Sequence, residues 1–236
     1  MSNNTLVKRF EANTKGRDLI VGDVHGCFTK LQARLDEVGF NPEVDRLFSV
    51  GDLVDRGPES KQALEWIAKP WFHAVQGNHE DMAIRWGKPV CMMDAGNYAA
   101  NGGGWNIANT IEERAEFSQA FHELPIAIEL QTQRGTIGIV HAECPFESWA
   151  NFVQALTDDM IPRSDLKAIK QAAMWSRSKI ESHHDGDIQD VLAVVVGHTP
   201  MQRMTSLGNT IYIDTAGWHP SGAGFTLLDA NTLTKA

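Results

Sequence analysis

Asp18-Leu19-Ile20-Val21-Gly22-Asp23-Val24-His25-Gly26 is the stretch from which the rest of the chain is read. Its first four residues form a short apolar-ended run that reads as a strand. The chain then turns at Gly22, delivers Asp23 and His25, and enters a helical pattern with Phe28, Leu31, Leu35 and Val38 on one face. The same order recurs twice. Arg46–Val50 reads as a strand stopping at Gly51-Asp52-Leu53-Val54-Asp55-Arg56-Gly57, followed by helical composition from Glu59 to Ala68. Phe72–Gln76 reads as a third strand, stopping at Gly77-Asn78-His79-Glu80. Strand–loop–helix units in series need crossover connections, so the expected fold is α/β with layered sheet.

Residues 81–124 differ. Their pattern is helical and loop-like, broken by Gly102-Gly103-Gly104, and reads as a helical insertion packed on the sheet. A hairpin is expected from Ile126–Leu130 and Thr136–Val140, then mostly helix over 146–175 and a polar surface loop over 181–187. Val191–Val196 reads as a buried strand, and Thr210–Asp214 and Gly224–Asp229 as closing strands. Two of these runs also end in ligand-type residues, at Val140-His141-Ala142 and Gly197-His198-Thr199. No Pro/Gly/Ser linker divides the sequence, so residues 1–236 read as one domain. In open α/β sheets the loops beyond the strands' carboxyl ends converge on the ligand site. Here those loops present Asp, His and Asn, which suit hard or borderline metal ions, and no Cys, which argues against a structural zinc site.

Composition narrows the partners. The chain has 236 residues and a formal net charge of −9, which argues against a protein held to nucleic acid or anionic lipid by charge alone. No Lys/Arg-rich segment stands near the motifs. The longest apolar run, Val191–Val196, is too short to span a bilayer. The opening Met1–Thr5 is polar and lacks a signal-type apolar region. Cys27, Cys91 and Cys144 have no Cys-x-x-Cys spacing and leave one thiol unpaired in any disulfide scheme, so reduced thiols in a cytoplasm are expected. None starts the Cys-x5-Arg loop that thiol-based phosphatases need.

The five loops in this order resemble the phosphoprotein phosphatase family of metallophosphoesterases, in its small bacterial and phage (lambda-type) branch. The blocks are GDVHG, GDLVDRG, GNHE, VHA and GHT, joined by Asn101–Trp105 (NGGGW), Trp175–Arg177 (WSR) and Ile213–Thr215 (IDT). The resemblance implies a calcineurin-like β-sandwich flanked by helices. It also implies hydrolysis of phosphoserine and phosphothreonine in proteins, with phosphotyrosine within the branch's breadth. It assigns Asp23 and His25 to one divalent metal, Asn78, His141 and His198 to a second, and Asp52 as the bridge. A metal-activated hydroxide would then attack phosphorus. Mn2+ is the expected metal, and Fe2+ or Zn2+ fit the same donors. Arg56 and Arg177 are the expected phosphate clamps. His79 is the expected proton donor, oriented by Asp55, and Glu80 is expected to hold the loop.

A symmetrical dinucleoside tetraphosphate hydrolase shares the ligands, but typically has Ala at the position of Asp55 and Asp at that of Glu80. An inactive phosphate-binding scaffold would have lost a ligand or clamp, and none is lost. An exonuclease would want a basic groove. Arg163 competes with Arg177 for the second clamp but matches no block. His73 and His122 read as ordinary strand and helix residues, and His183-His184-Asp185 as a solvated loop rather than a second metal site. His219 is a lesser candidate for lining the cleft. Most of the seven Trp read as core, with Trp105 and Trp175 placed near the site by position and Trp175 expected beneath Arg177. Glu143-Cys144-Pro145 stands where relatives tend to have Asp-Tyr-Pro, which bears on the cleft wall rather than on the ligands.

Overall fold

The computed structural model describes residues 5–236; the polar residues 1–4 lie outside them. The strands are β1 (Val7–Phe10), β2 (Asp18–Val21), β3 (Arg46–Ser49), β4 (Phe72–Ala74), β5 (Ala127–Thr132), β6 (Gly135–Val140), β7 (Ala193–Val196), β8 (Thr205–Leu207), β9 (Thr210–Tyr212), β10 (Leu227–Asp229) and β11 (Thr234–Lys235). The helices are α1 (Phe28–Glu37), α2 (Ala63–Ile67), α3 (Asn78–Trp86), α4 (Ala95–Ala100), α5 (Gly104–Ile107), α6 (Ile111–His122), α7 (Trp149–Thr157), α8 (Arg163–Trp175) and α9 (Ser178–Glu181). One sheet runs β1-β5-β6-β7-β9-β8 and the other β11-β10-β2-β3-β4.

The alternation of side chains explains the layering. In β2, Ile20 faces the opposite sheet, where it joins Phe48, Val50, Ile128, Ile139 and Val195 in the sandwich interior. Its neighbours Leu19 and Val21 face outward and pack with Phe28, Leu31, Leu35, Ala83 and Phe121 of the helices. In β7, Val195 points inward, while Val194 and Val196 pack outward with Phe152, Ala173 and Met174 of α7 and α8. Strands covered on both faces need no polar alternation, which is why these segments read as continuous apolar runs. The expected insertion is α4 to α6 with most of α3. It packs on the outer face of the second sheet through Ala83, Phe117 and Phe121.

Three strands were not anticipated. β1 pairs in parallel with β5, Val7 opposite Ala127, across more than a hundred residues. β8 and β11 are short edge strands. The segment expected as helix over 59–68 is a 3₁₀ turn at Ser60–Gln62 followed by the short α2, and the expected strand over 224–229 is ordered as β10 only from Leu227.

The sheets set the position of the site. β2, β3 and β4 pair in parallel, as do β6, β7 and β9. Their carboxyl ends therefore leave each sheet on one edge, and the two edges meet. The His198 N–H donates to both oxygens of Asp23 (3.1 and 3.2 Å), and His141 Nδ1 bonds the Val50 carbonyl (2.7 Å), so each sheet is tied to the other through these loops.

Candidate dinuclear metal centre

Asp23, His25, Asp52, Asn78, His79, His141 and His198 come together at this junction, and all are buried. The backbone that delivers them is unusual. His25, Asp52, Asp55, Arg56 and His198 have φ of 43°, 52°, 70°, 66° and 64°, the left-handed region that non-glycine residues avoid. Such residues cost about 1–3 kcal/mol each and persist only where surrounding structure holds them. Glu80 supplies much of that hold. Its Oε2 accepts from the N–H groups of Gly77 and Asp52, and Oε1 from that of Leu53, all at 2.8 Å. Burial and the Asp52 charge push this carboxyl up to about 7 against those donors. Glu80 thus acts on the loop, as expected. Gly102 contributes from the NGGGW segment: a Cβ there would lie 2.3 Å from the Arg56 nitrogen, and its φ is +97°.

The imidazoles are oriented by backbone carbonyls. His25 Nδ1 donates to Val54 (2.9 Å) and His141 Nδ1 to Val50 (2.7 Å), leaving Nε2 of each as the lone pair. His198 is reversed: Nε2 donates to the Trp175 carbonyl (3.2 Å), leaving Nδ1. A second bond of this kind fixes tautomer and direction in metal-binding histidines. The free nitrogens face oxygens that are themselves acceptors. His141 Nε2 lies 2.9 Å from Asn78 Oδ1 and 3.4 Å from Asp52 Oδ1. His198 Nδ1 lies 2.8 Å from Asn78 Oδ1. His25 Nε2 lies 3.7 Å from Asp52 Oδ2 and 3.9 Å from Asp23 Oδ2.

Converging lone pairs call for positive charge. Two atoms each about 2.1 Å from one ion stand about 3–4 Å apart, and the donor pairs here match that spacing. Asp52 divides its oxygens, Oδ2 towards His25 and Oδ1 towards His141, as a bridging carboxylate does. The residues therefore fit two divalent ions. Cationic groups of the chain also lie against these atoms. The Arg56 guanidinium donates to Nε2 of His25 (2.5 Å) and of His79 (3.1 Å). On the other side burial opposes a charged His141, but the charge and hydrogen bond of Asp52 prevail and hold it up at about 9. Burial, with His141 adjacent, lowers His198 to about 3. Asp52 is held well below the usual carboxylate range because the charges of His141 and His79 outweigh burial. Burial and the neighbouring Asp214 and Asp52 raise Asp23.

His79 also approaches the cluster, with Nε2 3.8 Å from Asp52 Oδ2. It forms a donor group with His25 and Asp52, a place the sequence reading gave to Asp23. Its other nitrogen is engaged differently from those of the three histidines above. Nδ1 bonds the carboxylate of Asp55 (2.7 Å), whose second oxygen accepts from Trp105 Nε1 (2.7 Å). A carboxylate partner, rather than a backbone carbonyl, sets which nitrogen of this ring carries its proton and which way the ring points.

Arg56 and Arg177 are exposed, so the two cations reach the surface above the buried ligands. Arg177 Nη2 contacts the His198 carbonyl (3.3 Å). The cation over Trp175 is Arg85 (5.6 Å), not Arg177, and Trp175 Nε1 bonds Asp81 (3.2 Å). Arg177 is aimed instead by α9, whose Lys179 N–H donates to Glu143 (3.0 Å), the residue that departs from the branch pattern. The sequence reading missed Trp218. Its ring lies under the Arg56 guanidinium (4.6 Å) and edge-on to His25 (4.9 Å). Its place three residues after the IDT segment was the signal available. His219 is exposed and meets Trp218 edge-on rather than joining the candidate ligands; His183 and His184 are exposed; Arg163 stands away on α8. No helix among the described residues is long and apolar enough to cross a membrane.

Comparison with known proteins agrees with this geometry. The model of the calcineurin-like phosphoesterase family matches residues 17–225. Serine/threonine-protein phosphatase 1 of Salmonella typhimurium is 34% identical over 213 residues, covering 89% of this chain and 91% of that protein. A symmetrical bis(5'-nucleosyl)-tetraphosphatase of Erwinia tasmaniensis is 46% identical over only 63 residues, 26% of this chain and 23% of that protein. The solved protein serine/threonine phosphatase from Saccharomyces cerevisiae shares the fold, with a TM-score of 0.66 and 14% identity over 96% of this chain and 77% of that one. From sheet edge to donor set to sequence, the chain belongs to the calcineurin-like phosphoesterase family.

Proposed function

We propose that the chain removes phosphate from phosphoserine and phosphothreonine in proteins, using two divalent metal ions, Mn2+ first among them. The observation that supports it most is the division of Asp52 between His25 on one side and His141 on the other, beside a carboxylate-paired His79. Similarity over nearly the full length to serine/threonine-protein phosphatases, against a quarter of the chain for the tetraphosphatase, favours a phosphoprotein substrate. Asp55, which the tetraphosphatase branch typically lacks, has defined work here between Trp105 and His79.

Asp23, His25 and Asp52 would hold one metal; Asp52, Asn78, His141 and His198 would hold the other. When bound, the pair supplies positive charge at the phosphoryl oxygens and a water acidic enough to act near neutral pH. Arg56 and Arg177 grip the remaining phosphate oxygens, Arg56 with its plane supported on Trp218. His79 Nε2 gives a proton to the departing serine or threonine oxygen, and Asp55 holds the ring in place for that transfer through Nδ1. The test is a parallel assay of a phosphoserine peptide, a phosphotyrosine peptide and diadenosine tetraphosphate in Mn2+. The phosphoserine peptide is expected to have the highest kcat/KM; preference for the dinucleotide would refute the assignment.

A further inference from the structure

The sequence shows no basic run beside the motifs, yet the fold assembles one. α3 and α8 flank an open groove of about 550 Å³. Lys88 just beyond α3 lines one wall, and Arg163, Lys167 and Lys170, at helical spacing on α8, line the other. Arg85 and Asp81 complete the charged lining, so five cations face one carboxylate on a chain of net charge −9. That carboxylate is committed: Asp81 pairs with Arg85 (3.2 Å) and accepts from Trp175 Nε1. Among the described residues, Lys88, Arg163, Lys167 and Lys170 have no carboxylate within 4.0 Å. Burial lowers the Lys170 ammonium; Asp81 opposes this and Lys88 adds to it, so like charges are crowded there.

Asp81 ties the groove to the candidate centre. It accepts from Trp175 Nε1, Trp175 holds His198 through its carbonyl, and Asp81 follows Asn78 by three residues on α3. Exposed apolar side chains adjoin the lining residues in sequence, Val90 and Met92 just past Lys88, and Met160 just before Arg163.

We propose that this groove binds acidic residues flanking the phosphorylated residue of the substrate protein, an inference that rests on the phosphoprotein reading above. Lys170 and Arg163 precede Trp175 by about 7.5 and 18 Å along α8. An extended peptide advances about 3.4 Å per residue. The groove therefore selects Asp or Glu about two to five positions from the phosphoresidue. A nucleic acid is the poorer fit, because the positive strip is short and the rest of the surface repels a long polyanion.

The test compares phosphoserine peptides with four acidic, four neutral or four basic residues on either side, with p-nitrophenyl phosphate as a substrate too small to reach the groove. In low salt the acidic peptide on one side should exceed the neutral one about tenfold in kcat/KM, from several exposed ion pairs acting together. Salt should erase the difference. Lys167→Glu/Lys170→Glu should abolish the preference while leaving p-nitrophenyl phosphate turnover unchanged, and Lys88→Glu on the opposite wall should act in the same direction. Equal rates on acidic and neutral peptides, or a preference that survives both variants, would overturn the groove and leave the phosphatase reading standing. So would inhibition by a single-stranded oligonucleotide without any acidic preference. No turnover of any phosphopeptide would overturn both.

Discussion

Asp55→Asn separates a positioning role from a merely structural one. The carboxylate is fully buried and makes two hydrogen bonds of 2.7 Å, one from His79 Nδ1 and one from Trp105 Nε1. Asparagine keeps the shape but has one acceptor oxygen where two are needed. If that oxygen stays with Trp105, the amide N–H faces His79 Nδ1 and drives the ring to its other tautomer. Nε2–H then points at the Arg56 donor only 3.1 Å away. A hydrogen bond to a charged group contributes about 1.5–3 kcal/mol. Its loss lowers kcat about 10- to 150-fold. KM should change little, because Asp55 does not touch the phosphate. The decisive assay is a double-mutant cycle with His79→Asn, measuring kcat on a phosphoserine peptide. If Asp55 acts through His79, adding Asp55→Asn to His79→Asn costs nothing further. Losses that multiply, or an Asp55→Asn enzyme with wild-type kcat, would refute the reasoning.

Three further outcomes follow from the geometry. Gly77→Ala places a Cβ 2.3 Å from Asp52 Oδ1 and should raise the Mn2+ needed for half-activity by about 5- to 150-fold, the equivalent of about 1–3 kcal/mol of overpacking; unchanged metal dependence would contradict the contact. His141 is held up at about 9, so at pH 7 the metal-free ring keeps its proton and the metal must displace it. Mn2+ binding should release at least one proton, read by calorimetry in buffers of different protonation enthalpy, and affinity should rise with pH towards about 9; no release would contradict the ligand assignment. Trp218→Leu removes the ring beneath Arg56 and should raise KM about 2- to 30-fold with kcat nearly unchanged, a split that a global packing defect would not give.

The residues of the candidate site were legible in the sequence because each group of them is local. Asp23 and His25, or Asp55 and Arg56, are delivered by one loop each, and the loop's glycines and the preceding apolar run are written side by side. The parallel strands then carry the loops to one edge. What was not legible depends on partners far apart in the chain. β1 is four residues with only modest apolar character, and its strand identity comes from β5, more than a hundred residues on. The basic groove draws Lys88 from one helix end and Lys170 from another, so no window contains it. Trp175 is near the site as its position indicated, but Arg85 covers it, because the Trp175 side chain reaches α3, where its Nε1 bonds Asp81. Trp218 looked like one more core tryptophan until the loop after β9 folded back over Arg56. The left-handed backbone at Asp52 and His198 has no reliable sequence mark, since it is imposed by the groups that surround it, Glu80 chief among them for Asp52.

The central claim is that Asp52 joins two metal sites, and metal counting tests it most directly. Metal-stripped protein is titrated with Mn2+ while bound metal and phosphoserine-peptide turnover are measured on the same samples. The expected result is that activity reaches its plateau only at two Mn2+ per chain, and that Asp52→Asn binds fewer and turns over almost nothing. Full activity at one Mn2+ per chain, or a wild-type rate from Asp52→Asn, would contradict the account.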